Sequence, residues 1–244
     1  MRSLIIILVL CLALPAAAAN RPSAGAAKPL DPSHIVSLRA GSLATPDATV
    51  GNTNAPTTIV PDWFYGKESY TYPVSAGQMP MCTDGFAPLS VTIYMGFGPE
   101  DVPAVFTMSG ALRTTTTASP GCIQPGARLV ETPLYQVTVT EPGDYRVDLP
   151  FADAGMSCIP GTGPWMAEVY FPDWFPDGML PDGMADSSPT SCTSWYNFYD
   201  FGWEDLVALY GWKGNVVVSM EAACCANGVP VQEQSWGTVK SLFR

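Results

Sequence analysis

Eight aromatic side chains, Trp195, Tyr196, Phe198, Tyr199, Phe201, Trp203, Tyr210 and Trp212, crowd into eighteen consecutive positions. Flat rings at this density suit stacking on sugar faces or holding an extended peptide, because each has a broad apolar face and the Tyr and Trp rings add a polar tip. On a strand, neighbours point to opposite faces, so about half of such rings must fill a core. That alternation puts Trp195, Asn197 and Tyr199 on one face, and Tyr196, Phe198 and Asp200 on the other. The candidate ligand-binding residues are therefore Trp195, Tyr199, Trp203, Tyr210 and Trp212, with Tyr170, Trp174 and Phe175 available to extend the platform. The competing reading is that all of these rings simply pack inside the fold.

Acidic residues supply the second constellation. No basic residue lies between Arg146 and Lys213, yet ten acids do. Four of them, Asp173, Asp177, Asp182 and Asp186, are spaced among Pro172, Pro176, Gly178, Pro181 and Gly183. A turning backbone of this kind can bring carboxylates and carbonyls around a structural Ca²⁺, a hard cation that takes oxygen ligands. The spacing is not that of an EF-hand. The plainer reading is that these residues form turns and point into water.

Other chemistry is scarce. The single histidine, His34, removes every two-His metal motif and leaves no partner set for Ser-His-Asp or Cys-His catalysis unless it serves itself. G-x-S-x-G, H-E-x-x-H, the P-loop and G-x-G-x-x-G are all missing, and no cofactor motif replaces them. What is left is a carboxylate pair of glycosidase type, for which Glu168, Asp200, Glu204 and Asp205 qualify only because they sit among aromatics. A formal charge of −11 argues against nucleic acid and anionic membranes as partners.

The positioning framework follows from the cysteines and the address. Residues 1–19 read as a signal peptide, with Arg2, an apolar run Leu4–Leu14, and Pro15 before Ala16–Ala19. This predicts an extracellular or periplasmic chain with no transmembrane segment, since the run is too short to span a bilayer. Cleavage removes Cys11 and leaves Cys82, Cys122, Cys158, Cys192, Cys224 and Cys225, an even set that predicts three disulfides. Adjacent Cys224 and Cys225 should each pair with a distant partner, because a vicinal bond is strained. The connectivity stays open.

Residues 20–60 contain no aromatic residue and are rich in Ala, Pro, Ser and Thr, which predicts a disordered linker. A single domain is expected over 61–227 and a tail over 228–244, where Trp236, Val239, Leu242 and Phe243 share a helical stripe that suits docking or surface attachment. Within the domain period two dominates. Leu89–Phe97 alternates apolar and polar, as do Tyr135–Val139 and Tyr145–Leu149 around Glu141-Pro142-Gly143-Asp144, which predicts two strands joined as a hairpin. Further strands are expected at Ala104–Leu112, Trp165–Phe171, Cys192–Asn197, Asn215–Ala222 and Ser69–Val74. Only Trp203–Tyr210 has helical spacing, and a bent strand fits it equally. The fold class is therefore all-β: an antiparallel β-sandwich, jelly-roll-like or immunoglobulin-like, stapled by disulfides, with at most one short helix.

The stretch Ser191–Cys225 carries Cys192, Ser194-Trp195, Gly202-Trp203, Asp205-Leu206 and Gly214-Asn215, joined upstream by Gly121-Cys122 with Pro125-Gly126 and by Cys158 with Gly163-Pro164-Trp165. In these pieces the chain resembles uncharacterised secreted bacterial single-domain β-sandwich proteins. The resemblance implies a fold and a compartment and transfers no catalytic residue. The expected function is a secreted, non-catalytic binding or structural module for an extracellular or cell-surface ligand. A carbohydrate-binding protein with an exposed aromatic platform is the alternative, and a carboxylate-dependent glycoside hydrolase the third reading.

Overall fold

The computed structural model describes residues 26–39, 45–151, 158–161, 163–176 and 178–225. The segment predicted as a signal peptide, Asp177 and the residues from 226 onward, with the expected tail, lie outside them. Among the described residues fifteen strands run in chain order: β1 (Lys28–Pro29), β2 (Val36–Arg39), β3 (Ala48–Gly51), β4 (Thr58–Val60), β5 (Gly66–Val74), β6 (Phe86–Phe97), β7 (Ala104–Ser119), β8 (Cys122–Glu131), β9 (Tyr135–Val139), β10 (Gly143–Pro150), β11 (Trp165–Trp174), β12 (Asp182–Ala185), β13 (Trp195–Phe198), β14 (Trp203–Asp205) and β15 (Val218–Cys224). The helix α1 (Leu206–Tyr210) follows β14 directly, so both readings of 203–210 hold, each for part of it. The Asp205 carboxylate caps its start by accepting from Val207 and Ala208 N–H, and Gly211 ends it in the left-handed region at φ 69°.

The strands form an all-β sandwich. One sheet has eight strands in the order β1-β4-β12-β6-β10-β2, with β15 pairing β6 and β3; the other has seven, β14-β13-β5-β11-β7-β8, with β9 on β7. Pairing is antiparallel except for β2, which runs parallel to β10. Alternation sorts the faces. Val91, Ile93, Met95 and Phe97 of β6 face Ala167, Val169 and Phe171 of β11 across one continuous core. These β-branched and aromatic side chains suit a pleated, half-buried surface, and each fully buried one contributes about 1.5–3 kcal/mol of transfer free energy.

Two expectations are corrected. The linker reading of 20–60 fails for its described part: β1 to β4 all pair into the first sheet, and Val50 and Val60 are in the core. Lack of aromatics misled here because a short strand added to a sheet gains backbone hydrogen bonds and needs only one or two small apolar residues facing inward. The hairpin reading of 135–149 also fails. Both strands exist, but β9 pairs with β7 and β10 with β6, in different sheets. Glu141–Pro142 therefore crosses the sandwich, and the Tyr145 hydroxyl secures the crossing by donating to the Glu141 carbonyl at 2.7 Å.

Three disulfides close the fold: Cys82–Cys224, Cys122–Cys192 and Cys158–Cys225. Cys224 and Cys225 do take different distant partners. Among the described residues no helix is long and apolar enough to cross a membrane.

Candidate functional site

The outer face of the second sheet carries a cleft of about 350 Å³, lined by Ser69 of β5, Arg113 of β7, Arg128 of β8, Glu168 and Tyr170 of β11, and Asn197 and Asp200 at the end of β13. Register explains the grouping. Ser69 sits opposite both Tyr170 and Asn197, and Glu168 lies opposite Ala111, one alternation from Arg113. Tyr70, Leu112, Ala167, Val169 and Tyr196, which neighbour them in sequence, belong to the core, so period two sends Ser69, Arg113, Glu168, Tyr170 and Asn197 outward together.

Glu168 organises the cleft. Its carboxylate is fully buried and accepts from Arg113 Nη1 at 2.8 and 3.0 Å, and from Arg128 Nε at 2.7 Å and Nη2 at 3.1 Å. Burial works to raise its pKa, but hydrogen bonds and charge from Arg128 and Arg113 outweigh this and hold it below the usual carboxylate range. Both guanidiniums also lie over rings: Arg113 is 5.1 Å from the Trp203 centroid and Arg128 4.7 Å from that of Tyr170. Burial and the nearby Asp200 charge raise the Tyr170 phenol, so that ring stays a neutral hydrogen-bonding group at ordinary pH.

At one end of the cleft stand three exposed rings. Trp174, Tyr199 and Phe201 are 49%, 49% and 58% exposed. Trp174 and Tyr199 stack at 6.0 Å and 27°, and Tyr199 and Phe201 lie 5.6 Å apart at 32°. The rings are thus mutually tilted by modest angles and face water as a patch. Phe198, half-buried, backs them, 5.6 Å from Trp174 and 6.4 Å from Phe201. The backbone beneath is strained: Lys67, Tyr199 and Asp200 hold φ of 52°, 53° and 59°, three of the five non-glycine residues in that region among those described. The Tyr199 N–H donates to the Lys67 carbonyl at 2.8 Å, which joins two of the strained residues. Side chains rarely adopt this backbone conformation, and such strain concentrates where a fold presents side chains for use.

Of the five predicted ligand-binding rings, only Tyr199 belongs to this patch. Trp195 is buried in a small satellite cluster with Cys122 and Met166. Trp212 is 2% exposed and packs edge-on against Trp63. Trp203 is half-buried beneath Arg113, and Tyr210 is half-buried, its ring against Trp63 and Tyr196 and its hydroxyl on Glu204. The alternation itself holds, with Tyr196 in the core and Trp195 outside it, but the outer face near Trp195 is covered by the Cys122–Cys192 bridge and its neighbours. Phe175, offered as an extension, is core. Trp174, offered in the same way, does stand in the patch, and Tyr170 lines the cleft, whereas Phe201 was counted among the eight rings but not among the candidates.

The carboxylates are dispersed. Asp173 accepts from Thr107 Oγ1, Asp182 from the Asp62 N–H, and Asp186, 2% exposed, from the side-chain amides of Asn52 and Asn54 and the N–H groups of Ser188 and Asn215. Among the described residues no three metal-ligating side chains converge, so Asp173, Asp182 and Asp186 do not gather as a Ca²⁺ site would require; Asp177 lies outside the described residues. Chain spacing suggested proximity, whereas strand β12 pulls Asp182 and Asp186 into separate hydrogen-bonding duties. Glu204 and Asp205 are likewise committed, to Tyr210 and to the start of α1 with the Cys192 N–H.

Asp182 offers a pH test. It sits beside Gly96 with Asp144: a Cβ on Gly96 would lie 3.1 Å from Asp182 Cβ and 3.2 Å from Asp144 Oδ1, close enough that one of them would have to shift by a few tenths of an ångström. Burial first, with the charges of Asp62 and Asp101 adding to it, raises the Asp182 carboxyl to about 6, against the Asp62 N–H and Lys28, which lower it. The folded chain therefore holds this proton more tightly than the unfolded chain, and ionisation costs stability as pH rises from about 4 to about 6. Asp182→Asn, which keeps an acceptor for Asp62, should raise stability at pH 7 by about 1 kcal/mol once screening at a partly exposed site is allowed for. The gain should vanish below pH 4. Melting curves at both pH values check this, and an equal shift at each would show that the charge is not responsible.

Compared with family models, curated proteins and solved structures, the chain matches none.

Proposed function

We propose that this chain is an exported, non-catalytic carbohydrate-binding module whose ligand surface is the patch Trp174, Tyr199 and Phe201 together with the adjoining cleft. One observation carries the reading: three exposed, modestly tilted rings stand beside a polar cleft in which Glu168 and its two arginines are already paired. Sugars have an apolar face made of C–H groups and a rim of hydroxyls. The rings supply the stacking surface, and Ser69, Asn197, Asp200 and Tyr170 supply donors and acceptors for the rim. Glu168 is held ionised between two arginines, so it is unsuited to protonate a leaving group, which favours binding over hydrolysis. The three disulfides support export.

Affinity electrophoresis of the full chain through gels cast with soluble polysaccharides tests this. Trp174→Ala and Tyr199→Ala should each weaken retardation about tenfold, the effect of losing about 1.4 kcal/mol of ring contact. Met81→Ala, an exposed apolar residue preceding β6, should change nothing. No retardation by any polysaccharide, acidic or neutral, or equal retardation of the ring variants, would remove the proposal.

A further inference from the structure

Resting on that reading, the geometry points to the class of sugar: we infer that the site takes an acidic glycan, with a uronic-acid carboxylate received by Lys67. The two arginines of the cleft are already neutralised, Arg113 and Arg128 by Glu168, and Arg128 also by Glu131 at 3.0 Å. Lys67 differs. Among the described residues it forms no ion pair, and its Nζ lies 5.2 Å from the Tyr199 centroid and 6.0 Å from that of Trp174. An ammonium has three donors and no acceptor capacity. Here two ring faces hold it at the lip of the stacking surface, where the rim of a stacked sugar would come. The left-handed backbone at Lys67 and the Tyr199 N–H bond to its carbonyl fix where the side chain starts.

The charge logic is local. A carboxylate on the sugar ring would meet an ammonium that has no ion-pair partner among the described residues, forming a charge-assisted hydrogen bond of the stronger kind. Asp200, the exposed carboxylate of the cleft, is near enough to Tyr170 for its charge to raise that phenol, yet it makes no ion pair with Lys67. Repulsion from the overall charge of −11 is screened beyond about 8 Å at physiological ionic strength, so contact pairs decide the preference.

The test compares polygalacturonate and alginate with carboxyl-reduced polygalacturonate and a neutral β-glucan, using the full oxidised chain, Lys67→Gln, Lys67→Arg and Trp174→Ala. The acidic polymers should bind the wild type about tenfold more tightly than the carboxyl-reduced one. Lys67→Gln should lose that advantage and keep the weaker binding to the reduced polymer, while Lys67→Arg retains most of it. Trp174→Ala should weaken both. Equal binding of acidic and reduced polymers, or full retention by Lys67→Gln, overturns the acidic preference and leaves the carbohydrate reading standing. Retardation by none of the polymers overturns both.

Discussion

Glu168→Ala is expected to cost about 3–5 kcal/mol, the range for breaking a buried ion pair by removing one partner. The carboxylate is fully buried while Arg113 and Arg128 keep side-chain exposures of 16% and 30%. Deleting it leaves two cations over Trp203 and Tyr170, with Glu131, on Arg128, as the remaining acidic partner. Since domains have only about 5–15 kcal/mol in hand, the variant should melt roughly 10–15 °C lower. Glu168→Gln keeps the shape but gives up the charge, and its amide would turn donors toward a guanidinium, so it should recover little. Replacing all three residues by Met should recover much of the loss, because the desolvation cost goes with the charges. Acid should mimic the variant. The lowered pKa means that the stabilisation is full above the ordinary carboxylate range and is lost as pH falls through the folded value. Urea midpoints at pH 7 decide the matter: a loss below about 0.5 kcal/mol for Glu168→Ala would show that the arginines find other partners, as surface pairs do.

Opening the Cys82–Cys224 bridge should be as damaging. It closes 142 residues, against 70 for Cys122–Cys192 and 67 for Cys158–Cys225. In the chain-entropy account each bridge contributes about 4–5 kcal/mol by restricting the unfolded chain. Two of them are coupled. Cys82–Cys224 and Cys158–Cys225 both tie the end of β15 to the region where β6 begins, beside the Cys225 N–H bond to the Gly85 carbonyl. With Cys158–Cys225 present, Cys82–Cys224 closes a path about half as long, from 82 to 158 and across to 225, so its contribution falls by about 0.6 kcal/mol. The double replacement Cys82→Ala with Cys224→Ala should therefore lower the urea midpoint strongly, yet slightly less than it would without Cys158–Cys225. Removal of Cys122–Cys192 should add independently and also loosen Trp195, which it covers. Without Cys11, the denatured, unreduced chain should titrate no free thiol. Two or more free thiols, or a midpoint insensitive to reduction, would contradict the bridging.

Much of this protein is local in origin and was legible in the chain. Alternation identified β6, β9, β10 and β11 because side-chain direction along a strand depends only on the neighbours in sequence. The even cysteine count implied three bridges, and the vicinal pair Cys224–Cys225 ruled out bonding to itself on geometry alone. Alternation also put Trp195 and Tyr196 on opposite faces, and the fold turned the Tyr196 face inward. What alternation cannot carry is which strand lies beside which. The turn residues after β9 suit a hairpin, yet β10 crosses to the other sheet, because pairing is settled by the non-local packing of two whole faces. The same limit explains β1–β4, whose few inward residues matter only once a sheet edge exists to receive them. It also explains the site. Glu168 meets arginines 55 and 40 positions away, and ring exposure depends on what covers each ring: a disulfide over Trp195, Trp63 against Trp212, water over Trp174. Residue type and spacing decide which side chains can do chemistry and to which face each points. Only the assembled sheets decide which of them meet, since contact between distant segments comes from burying apolar area shared by the whole fold.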